Sequence, residues 1–481
     1  MCRLWVTWLW VAMLGACVGP HDPRAALVAA TLVRADQALL RGRPSLMAAR
    51  YAAMGQSAFA FYRGTISVWR RDWRDATLGL SASRFGLDHP MPLGAGDPHP
   101  ENFGLLDPGE GPLRFELNDL DAVERVPYLW DLRRLLVGLV LAVRGANADD
   151  AAARSTGRAA EGAVVEAALG AYLATLRGQG PEAVTEAPES PVLADLFRRG
   201  ARDRARRAEL DALTELVAGR RALRRGAFDR EDPQSALASL PPFARASLPS
   251  SLAAMRASLS APTPAAWWAL RDAARLYGSG VASLARVRVL VLLEGPSESP
   301  DDDVLLEVKE LSDALTPGFV SVDVAATSLP SRITAAAAGV WSAPGLERYW
   351  GAATWLGFAV QCRVERASQK SVRVARLVGA LGSVAALEAL GADLGAALGR
   401  IHRRGEHDGR VVGAAIAARI TDPAGFIAEQ RDIATRYASQ VEADHAAFVL
   451  QLRAAGPRLG FAPATDCAPD PDLAALVGDA P

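Results

Sequence analysis

The most informative segment of this chain is Gly96-Asp97-Pro98-His99-Pro100-Glu101-Asn102-Phe103-Gly104. Its prolines and glycines are incompatible with a helix, so we predict a loop. The loop sets the carboxylate of Asp97 five residues before the amide of Asn102. A carboxylate can accept a proton from a hydroxyl group, and an amide oxygen is a suitable ligand for Mg²⁺. Asp and Asn are also common turn residues, so a purely structural role for both is the alternative.

A second group of carboxylates follows the loop. The stretch Phe115-Glu116-Leu117-Asn118-Asp119-Leu120-Asp121 begins as an apolar strand and ends in two acids. Carboxylates crowded together repel one another unless a cation neutralises them, and Mg²⁺ is the hard cation that suits oxygen ligands. We therefore predict Asn102, Asp119 and Asp121 as metal ligands. For Asp131, at the start of the next helix, we predict a structural role in helix capping or in a salt bridge to Arg133 or Arg134.

The composition is that of a globular protein with an unusual choice of basic residues. Half of the 481 residues are hydrophobic, 22% are charged and the formal net charge is −1, which argues against a nucleic-acid-binding protein. Of 53 basic residues only Lys309 and Lys370 are lysines. Lysine offers a compact point charge that the planar guanidinium does not reproduce. Lys309 lies in the apolar strand Val304–Leu311, from which a lysine can bind nucleotide phosphates; Lys370 belongs to no motif.

The surroundings of Lys309 predict a β-hairpin. Residues 284–293 alternate in the manner of a strand, a polar turn follows, and a second strand begins at Val304. Gly278, Gly280 and Ser283 precede the hairpin and are predicted to contact phosphates, although a short Gly/Ser cluster is a weak motif. Residues 136–277 are Ala-, Leu- and Arg-rich, with apolar residues three and four apart, so we predict that they are mostly helical.

These motifs together resemble the bacterial DUF2252 proteins, an uncharacterised kinase-like family. The G-D-x-H-x-x-N pattern is also similar to that of aminoglycoside phosphotransferases. The matching stretches are Ser57–Gly64, Gly96–Gly104, Phe115–Asp121, Trp130–Leu135, Gly278–Gly295, Val304–Leu311 and Leu394–His402. The resemblance runs from about residue 40 to residue 455. It implies an α+β, protein-kinase-like fold of two lobes, with a large helical lobe, and phosphotransfer from ATP with Mg²⁺ to an unknown hydroxyl acceptor.

The resemblance also implies roles for individual residues. Asp97 would be catalytic, Asn102 and Asp119 would bind the metal, and Lys309 would bind phosphate. We further predict that His99, held between two prolines, orients Asp97.

The order of the motifs is unusual, because the strand lysine of ordinary kinases precedes the catalytic Asp. Here Lys309 follows Asp97 by 212 residues. A circular permutation, with the β-rich lobe encoded after the loop, would explain this order. In the alternative, residues 57–95 and the N-terminal helices supply the small lobe. The predicted domains are a signal peptide (1–16), a linker and helix start (17–40), the catalytic-loop and helical lobe (41–277), the β-rich nucleotide-binding lobe (278–375), the C-terminal helices (376–461) and a loose tail (462–481).

Departures from the family pattern keep a second function open. The family's glycine loop reads G-x-G-S-x-G, and here two of its glycines are replaced by Ala282 and Ala285. A Cβ atom limits both the close approach of the backbone and a positive φ. Glu116 also replaces an Asp of the family. The alternative function is a non-catalytic, pseudokinase-like lipoprotein that binds an envelope ligand or a protein partner.

The N-terminus predicts export. Arg3 precedes an apolar run that ends in Leu14-Gly15-Ala16-Cys17, which resembles a bacterial lipobox. We therefore predict lipidation of Cys17 and attachment to the cell envelope, with the outer membrane favoured because Val18 follows the cysteine. If translation starts downstream, the protein is instead cytoplasmic. After cleavage Cys362 and Cys467 could form a disulfide.

Overall fold

The computed structural model describes residues 22–146, 151–186, 190–227, 235–278, 280–311, 328–343, 345–407, 409–462 and 476. The predicted lipidation site Cys17 and the predicted disulfide partner Cys467 lie outside the described residues. The chain divides into two units. The first contains residues up to Leu80, a short segment that ends at Ala285 and residues from Arg436 onward. The second contains residues 81–278 and 286–435.

Helices and strands are numbered here in chain order. The α-helices are α1 (Pro23–Ala35), α2 (Gln37–Gly42), α3 (Pro44–Met54), α4 (Ala58–Gly64), α5 (Ile66–Trp73), α6 (Tyr128–Gly145), α7 (Ala151–Leu176), α8 (Pro191–Arg206), α9 (Ala208–Leu213), α10 (Pro242–Ala257), α11 (Leu329–Val340), α12 (Val384–Arg403), α13 (Val412–Arg419) and α14 (Pro423–Ala455). The strands are β1 (Leu93–Gly94), β2 (Phe103–Leu106), β3 (Arg114–Leu117), β4 (Glu124–Arg125), β5 (Thr214–Val217), β6 (Arg220–Leu223), β7 (Gly226–Ala227), β8 (Ala236–Ser239), β9 (Leu270–Leu276), β10 (Arg288–Leu293), β11 (Val304–Glu310), β12 (Gly351–Trp355), β13 (Phe358–Val364), β14 (Glu406–His407) and β15 (Arg410–Val411).

The first unit is helical, with an aromatic core. Trp69 of α5 packs edge-on against Tyr437 of α14, with 5.2 Å between the ring centroids. The buried carboxylate of Asp72 accepts hydrogen bonds from the Tyr437 hydroxyl and from the Arg24 guanidinium, each at 2.7 Å. Because a buried carboxylate is costly unless it is paired, these donors make Asp72 a structural link between α1, α5 and α14.

The second unit is built around an antiparallel sheet of seven strands in the order β12-β13-β11-β10-β9-β8-β7. The α+β class predicted from the sequence is confirmed, and so is the hairpin of β10 and β11, in which Arg288 pairs with Lys309. The prediction that residues 136–277 are mostly helical misses the strands β5 to β9, which lie between Thr214 and Leu276. These strands are rich in Ala, Leu and Arg, and β9 is fixed by pairing with β10 rather than by its own propensity.

One face of the sheet changes from apolar to charged along the strands. Leu292 of β10 pairs with Leu305 of β11, and both belong to the buried core cluster. Side chains alternate between the faces of a strand, so Glu307 and Lys309 continue the face of Leu305. Neighbouring β13 adds Arg363 opposite Glu307. The face is therefore a hydrophobic core at one end and a charged surface at the other.

The helices of the second unit pack closely on one another. A Cβ atom on Gly395 of α12 would lie 2.0 Å from the carbonyl oxygen of Ala168 of α7, so the approach of these helices requires glycine there. Among the described residues, one helical stretch, Arg158–Leu176 within α7, is long and apolar enough to cross a membrane, and half of it is buried inside the protein.

Candidate phosphotransfer site

The predicted loop begins with a strained glycine and ends in a short 3₁₀ helix, Pro100–Asn102. Gly96 has φ of +74°, and a Cβ atom there would lie 1.8 Å from the carbonyl oxygen of Ala122, so only glycine fits. Within the loop the Asn102 side-chain amide donates a hydrogen bond of 2.9 Å to the carbonyl of Asp97. This bond fixes the amide orientation and leaves the Asn102 side-chain oxygen available as an acceptor or ligand.

Asp131 holds the start of this loop. Its buried carboxylate accepts hydrogen bonds from the backbone N–H groups of Ala95 at 2.5 Å and Gly96 at 2.9 Å. His402 Nε2 lies 3.1 Å from the same carboxylate, and the Tyr172 hydroxyl lies 2.9 Å from His402 Nδ1. An Nε2–H tautomer, with the hydroxyl donating to Nδ1, satisfies both contacts. Asp131 therefore has a structural role, but neither form predicted for it is found: the helix has no side-chain cap, and the partners of Asp131 are backbone amides and a histidine rather than Arg133 or Arg134.

Asp97 is paired with a buried arginine. Arg134 Nε lies 2.7 Å from Asp97 Oδ1, and the Asp97 side chain keeps 14% of its surface exposed. The guanidinium fixes one carboxylate oxygen, while solvent or a substrate can still reach the group. His99 is buried, and its backbone N–H donates to the Asp97 carbonyl at 2.9 Å. Its predicted role in orienting the Asp97 side chain stays a prediction.

The hairpin of β2 and β3 brings Asp119 next to Asn102. Phe103 pairs with Leu117, and the backbone N–H of Asn118 donates to the carbonyl of Asn102 at 2.9 Å. Asp119 is therefore the next residue after Asn118, whose backbone is bonded to that of Asn102. The structure thus juxtaposes two of the predicted metal ligands, although seventeen residues separate them in the chain.

Lys309 meets the same segment from the sheet. Its Nζ lies 2.6 Å from Asp121 Oδ2 and 3.4 Å from Asp119 Oδ1. Residues 57–95, which the alternative makes part of the small lobe, form helices and the two-residue strand β1. The sheet that carries the lysine is encoded after the loop, and the circular permutation stays a prediction.

Arginines neutralise the charged face around Lys309. Arg288 of β10 forms a salt bridge with Glu307, and Arg363 Nε lies 3.7 Å from the same carboxylate. Arg363 also donates a hydrogen bond of 2.8 Å to the carbonyl of Asn118. This contact ties the sheet to the backbone immediately before Asp119, so the lysine and the acids are held by more than their own attraction.

The two acids at Lys309 differ in acidity. Burial raises the pKa of Asp119, but the positive charge of Lys309 outweighs this and holds that pKa well below its usual range. Burial and the negative charge of Asp119 raise the pKa of Asp121 to about 6. The crowding that the sequence suggested is therefore real, and Lys309 is the cation that relieves it in this structure.

The side-chain oxygen atoms of Asn102 and Asp119 are of the kind that suits hard cations such as Mg²⁺, Ca²⁺ and Mn²⁺. One side-chain amide and one carboxylate are hard oxygen donors, of the kind that holds Mg²⁺ together with water and phosphate. Asp119 keeps 37% of its side chain exposed, so an ion can reach it. Among the described residues no cluster of three or more His, Cys, Asp or Glu side chains is arranged for metal binding.

The other singled-out residues lie elsewhere. Gly278 follows β9 in the second unit, whereas Gly280 and Ser283 belong to the first unit; both glycines have positive φ. Lys370, which the sequence left without a role, forms a salt bridge of 2.6 Å with Asp203. Cys362 is free and buried, and burial raises its thiol pKa to about 12.

Sequence reasoning missed several residues that organise the site. Arg134 lies within the quoted motif Trp130–Leu135, so the motif itself was the signal for it. His402 also ends a quoted stretch, but nothing local indicates that it reaches Asp131, 271 residues away. The roles of Arg288 and Arg363 depend on strand register, which the sequence alone does not provide.

Comparison with known proteins identifies the family. The model of the family described as "Uncharacterized protein conserved in bacteria (DUF2252)" matches residues 41–451, and the chain belongs to this family. The resemblance inferred from the motifs is thereby confirmed. No curated protein and no solved structure matches the chain.

Proposed function

We propose that this member of the DUF2252 family is a Mg²⁺- and ATP-dependent phosphotransferase of kinase-like fold that acts on a hydroxyl acceptor. The observation that carries the proposal is the convergence of Lys309, from a central strand, on Asp119, beside the loop that bears Asp97 and Asn102. Phosphoryl transfer needs little covalent chemistry from a protein, and these groups supply positioning and charge neutralisation.

The order of elements around Lys309 supports the kinase-like assignment. The strands β9, β10 and β11 follow one another in the sheet, and helix α11 and the strands β12 and β13 come later in the chain. The lysine lies on a strand of this sheet that precedes a helix in the chain, as the phosphate-binding lysine of protein kinases does. The loop with the carboxylate and the amide five residues apart is the second kinase-like feature.

Each residue then has a defined task. Asp97 accepts a hydrogen bond from the acceptor hydroxyl and directs its oxygen towards the terminal phosphorus of ATP. Asn102 and Asp119 hold the metal ion, which when bound neutralises charge on the phosphate oxygens. Lys309 adds a point charge to the same phosphates. The new phosphorus–oxygen bond forms as the bond to ADP breaks, and the hydroxyl proton leaves towards Asp97 or water.

Thermal unfolding of the full-length protein with and without Mg-ATP tests the proposal. We expect Mg-ATP at a hundred times its dissociation constant to stabilise the wild-type protein by about 2.7 kcal/mol. The gain should vanish in Asp119→Asn and remain in Glu110→Gln, an exposed acid of the β2–β3 turn. A wild-type protein that binds no nucleotide, with or without Mg²⁺, contradicts the proposal.

A non-catalytic binding protein is the second candidate, and two observations favour it. Alanines replace two glycines of the expected phosphate loop, and Asp97 is already paired with Arg134. Mg-ATP binding without transfer to any hydroxyl acceptor would support this candidate. Transfer that is lost in Asp97→Asn while nucleotide binding persists would exclude it.

Envelope attachment through Cys17 is a separate proposal, tested by palmitate labelling of the wild type and of Cys17→Ala.

A further inference from the structure

We propose that Asp121 is a positioning residue that holds the ammonium group of Lys309 in the phosphate site, and that it is not a metal ligand. This inference rests on the proposed function, since it assigns the partner that keeps the phosphate-binding lysine in place. It replaces the prediction from the sequence that Asp121 supports the metal.

The distances separate the two acids. At 2.6 Å, the contact between Lys309 Nζ and Asp121 Oδ2 is a short, charge-assisted hydrogen bond. Asp119 Oδ1 accepts a longer hydrogen bond, of 3.4 Å, from the same nitrogen. Lys309 is therefore held mainly by Asp121, and Asp119 is its weaker partner.

The exposed fractions of the Asp119 and Asp121 side chains support the same distinction as the distances. The side chain of Asp119 is 37% exposed and that of Asp121 is 17% exposed, while Lys309 is 6% exposed. A ligand that comes from solvent reaches Asp119 first. The more enclosed acid is the one that pairs with the enclosed lysine, as expected where an unpaired buried charge would be costly.

No other described carboxylate near Lys309 is placed to pair with its ammonium group. In protein kinases a glutamate on the helix after the lysine strand pairs with the lysine. Helix α11, Leu329–Val340, contains neither Asp nor Glu. Glu307 shares the sheet face with Lys309 but is paired with Arg288. Glu310 points to the opposite face and accepts a hydrogen bond of 2.8 Å from the Val287 backbone N–H.

Lysine side-chain NMR tests the pairing without any nucleotide, because the chain contains only two lysines. Full-length protein labelled with ¹³C-lysine gives one side-chain signal from Lys309 and one from Lys370, and Lys309→Arg assigns them. We expect Asp121→Asn to shift the Lys309 signal more than Asp119→Asn does. Lys370, paired with Asp203, is the internal reference and should not move. A larger shift in Asp119→Asn, or no shift in either variant, overturns the inference.

Calorimetric titration with ATP separates positioning from metal binding. Loss of a charge-assisted hydrogen bond to the lysine should weaken nucleotide binding in Asp121→Asn about tenfold. The Mg²⁺ concentration for half-maximal binding should stay that of the wild type in this variant and rise in Asp119→Asn. A raised Mg²⁺ requirement in Asp121→Asn would make Asp121 a metal ligand and overturn the inference.

A conservative variant covers the case in which Asp121→Asn does not fold. Asp121→Glu keeps the charge, so the Lys309 signal should stay closer to the wild-type position than in any neutral variant. Absence of nucleotide binding by the wild-type protein would remove the proposed function, whereas the NMR comparison would still decide whether Asp121 holds Lys309. A Lys309 signal that moves further from the wild-type position in Asp121→Glu than in Asp119→Asn would count against the pairing.

Discussion

The carboxylates of Asp131 and Asp119 lie twelve residues apart in the chain, and the protein satisfies them to different degrees. Asp131 is fully buried, accepts hydrogen bonds from the backbone N–H groups of Ala95 and Gly96, and faces His402. Asp119 has Lys309 at 3.4 Å and remains open to solvent. Motif and spacing do not distinguish such acids. What distinguishes them is the number of donors that the fold supplies, because a carboxylate with unused lone pairs can still take a ligand.

The most sensitive test of this comparison is one and the same substitution at both acids. Asp131→Asn turns an amide N–H₂ towards groups that already donate, so buried donors lose their acceptor. We expect the free energy of unfolding to fall by about 2–4 kcal/mol, because each buried donor left without an acceptor costs about 1–3 kcal/mol. Asp119→Asn should cost under about 1 kcal/mol, because a partly exposed acid loses less.

Urea unfolding of the full-length variants measures both values. Both variants carry the same change of side-chain chemistry, so each is the control for the other. Equal losses of stability would break the comparison, since they would mean that the fold depends on Asp119 as much as on Asp131. A small loss in Asp131→Asn would show that the loop is held by contacts other than this carboxylate.

The difference between the two acids also marks how far sequence reasoning reaches. Asp97 and Asn102 lie in one loop and Asp119 ends a short strand, so local pattern was enough to select them. The enclosure of Asp131 depends on His402 at the end of α12, and the anchoring of Lys309 depends on Asp121, 188 residues earlier in the chain. Such contacts arise from packing and strand register, which a single sequence does not encode locally.

The same reason explains the strands that were predicted as helix. Leu270–Leu276 reads Leu-Arg-Asp-Ala-Ala-Arg-Leu, a composition that favours a helix. Its pairing partners, β8 and β10, stabilise the extended conformation instead. Val304–Glu310, by contrast, is rich in Val and Leu and lies next to a turn, so its strand was predictable. Local propensity succeeded where it agreed with the tertiary context.

A half-buried carboxylate, Glu365, should give a smaller effect that depends on pH. Removal from water and the negative charge of Glu307 raise the pKa of Glu365 to about 7. Below the ordinary glutamate pKa both the folded and unfolded forms hold the proton. Between that value and pH 7 only the folded form holds it, so stability falls as the pH rises through this window and then levels off.

Glu365→Gln removes this loss, because glutamine is neutral at every pH. We expect the variant to exceed the wild type in unfolding free energy by about 1–3 kcal/mol at pH 8 and by nearly nothing at pH 4.5. Chemical unfolding at the two pH values measures the difference, and Glu110→Gln, on an exposed side chain, is the control. A gain that is the same at both pH values would mean that charge is not its cause.

The smallest expected effect concerns Lys370, and it extends the comparison from the two acids to the two lysines. Lys370 pairs with Asp203 at 2.6 Å, but both side chains are partly exposed, and such pairs contribute little to stability. Its backbone carbonyl accepts a hydrogen bond of 2.7 Å from the Leu105 N–H, and a substitution of the side chain does not remove this contact. We therefore expect Lys370→Met to cost under about 1 kcal/mol of unfolding free energy and to leave Mg-ATP binding at the wild-type level. Lys309→Met should abolish that binding, because Arg288 and Arg363, the neighbouring cations of the sheet face, are already paired with Glu307. Impaired nucleotide binding in Lys370→Met, measured by calorimetric titration, would show that rarity of lysine marked a functional residue at both positions.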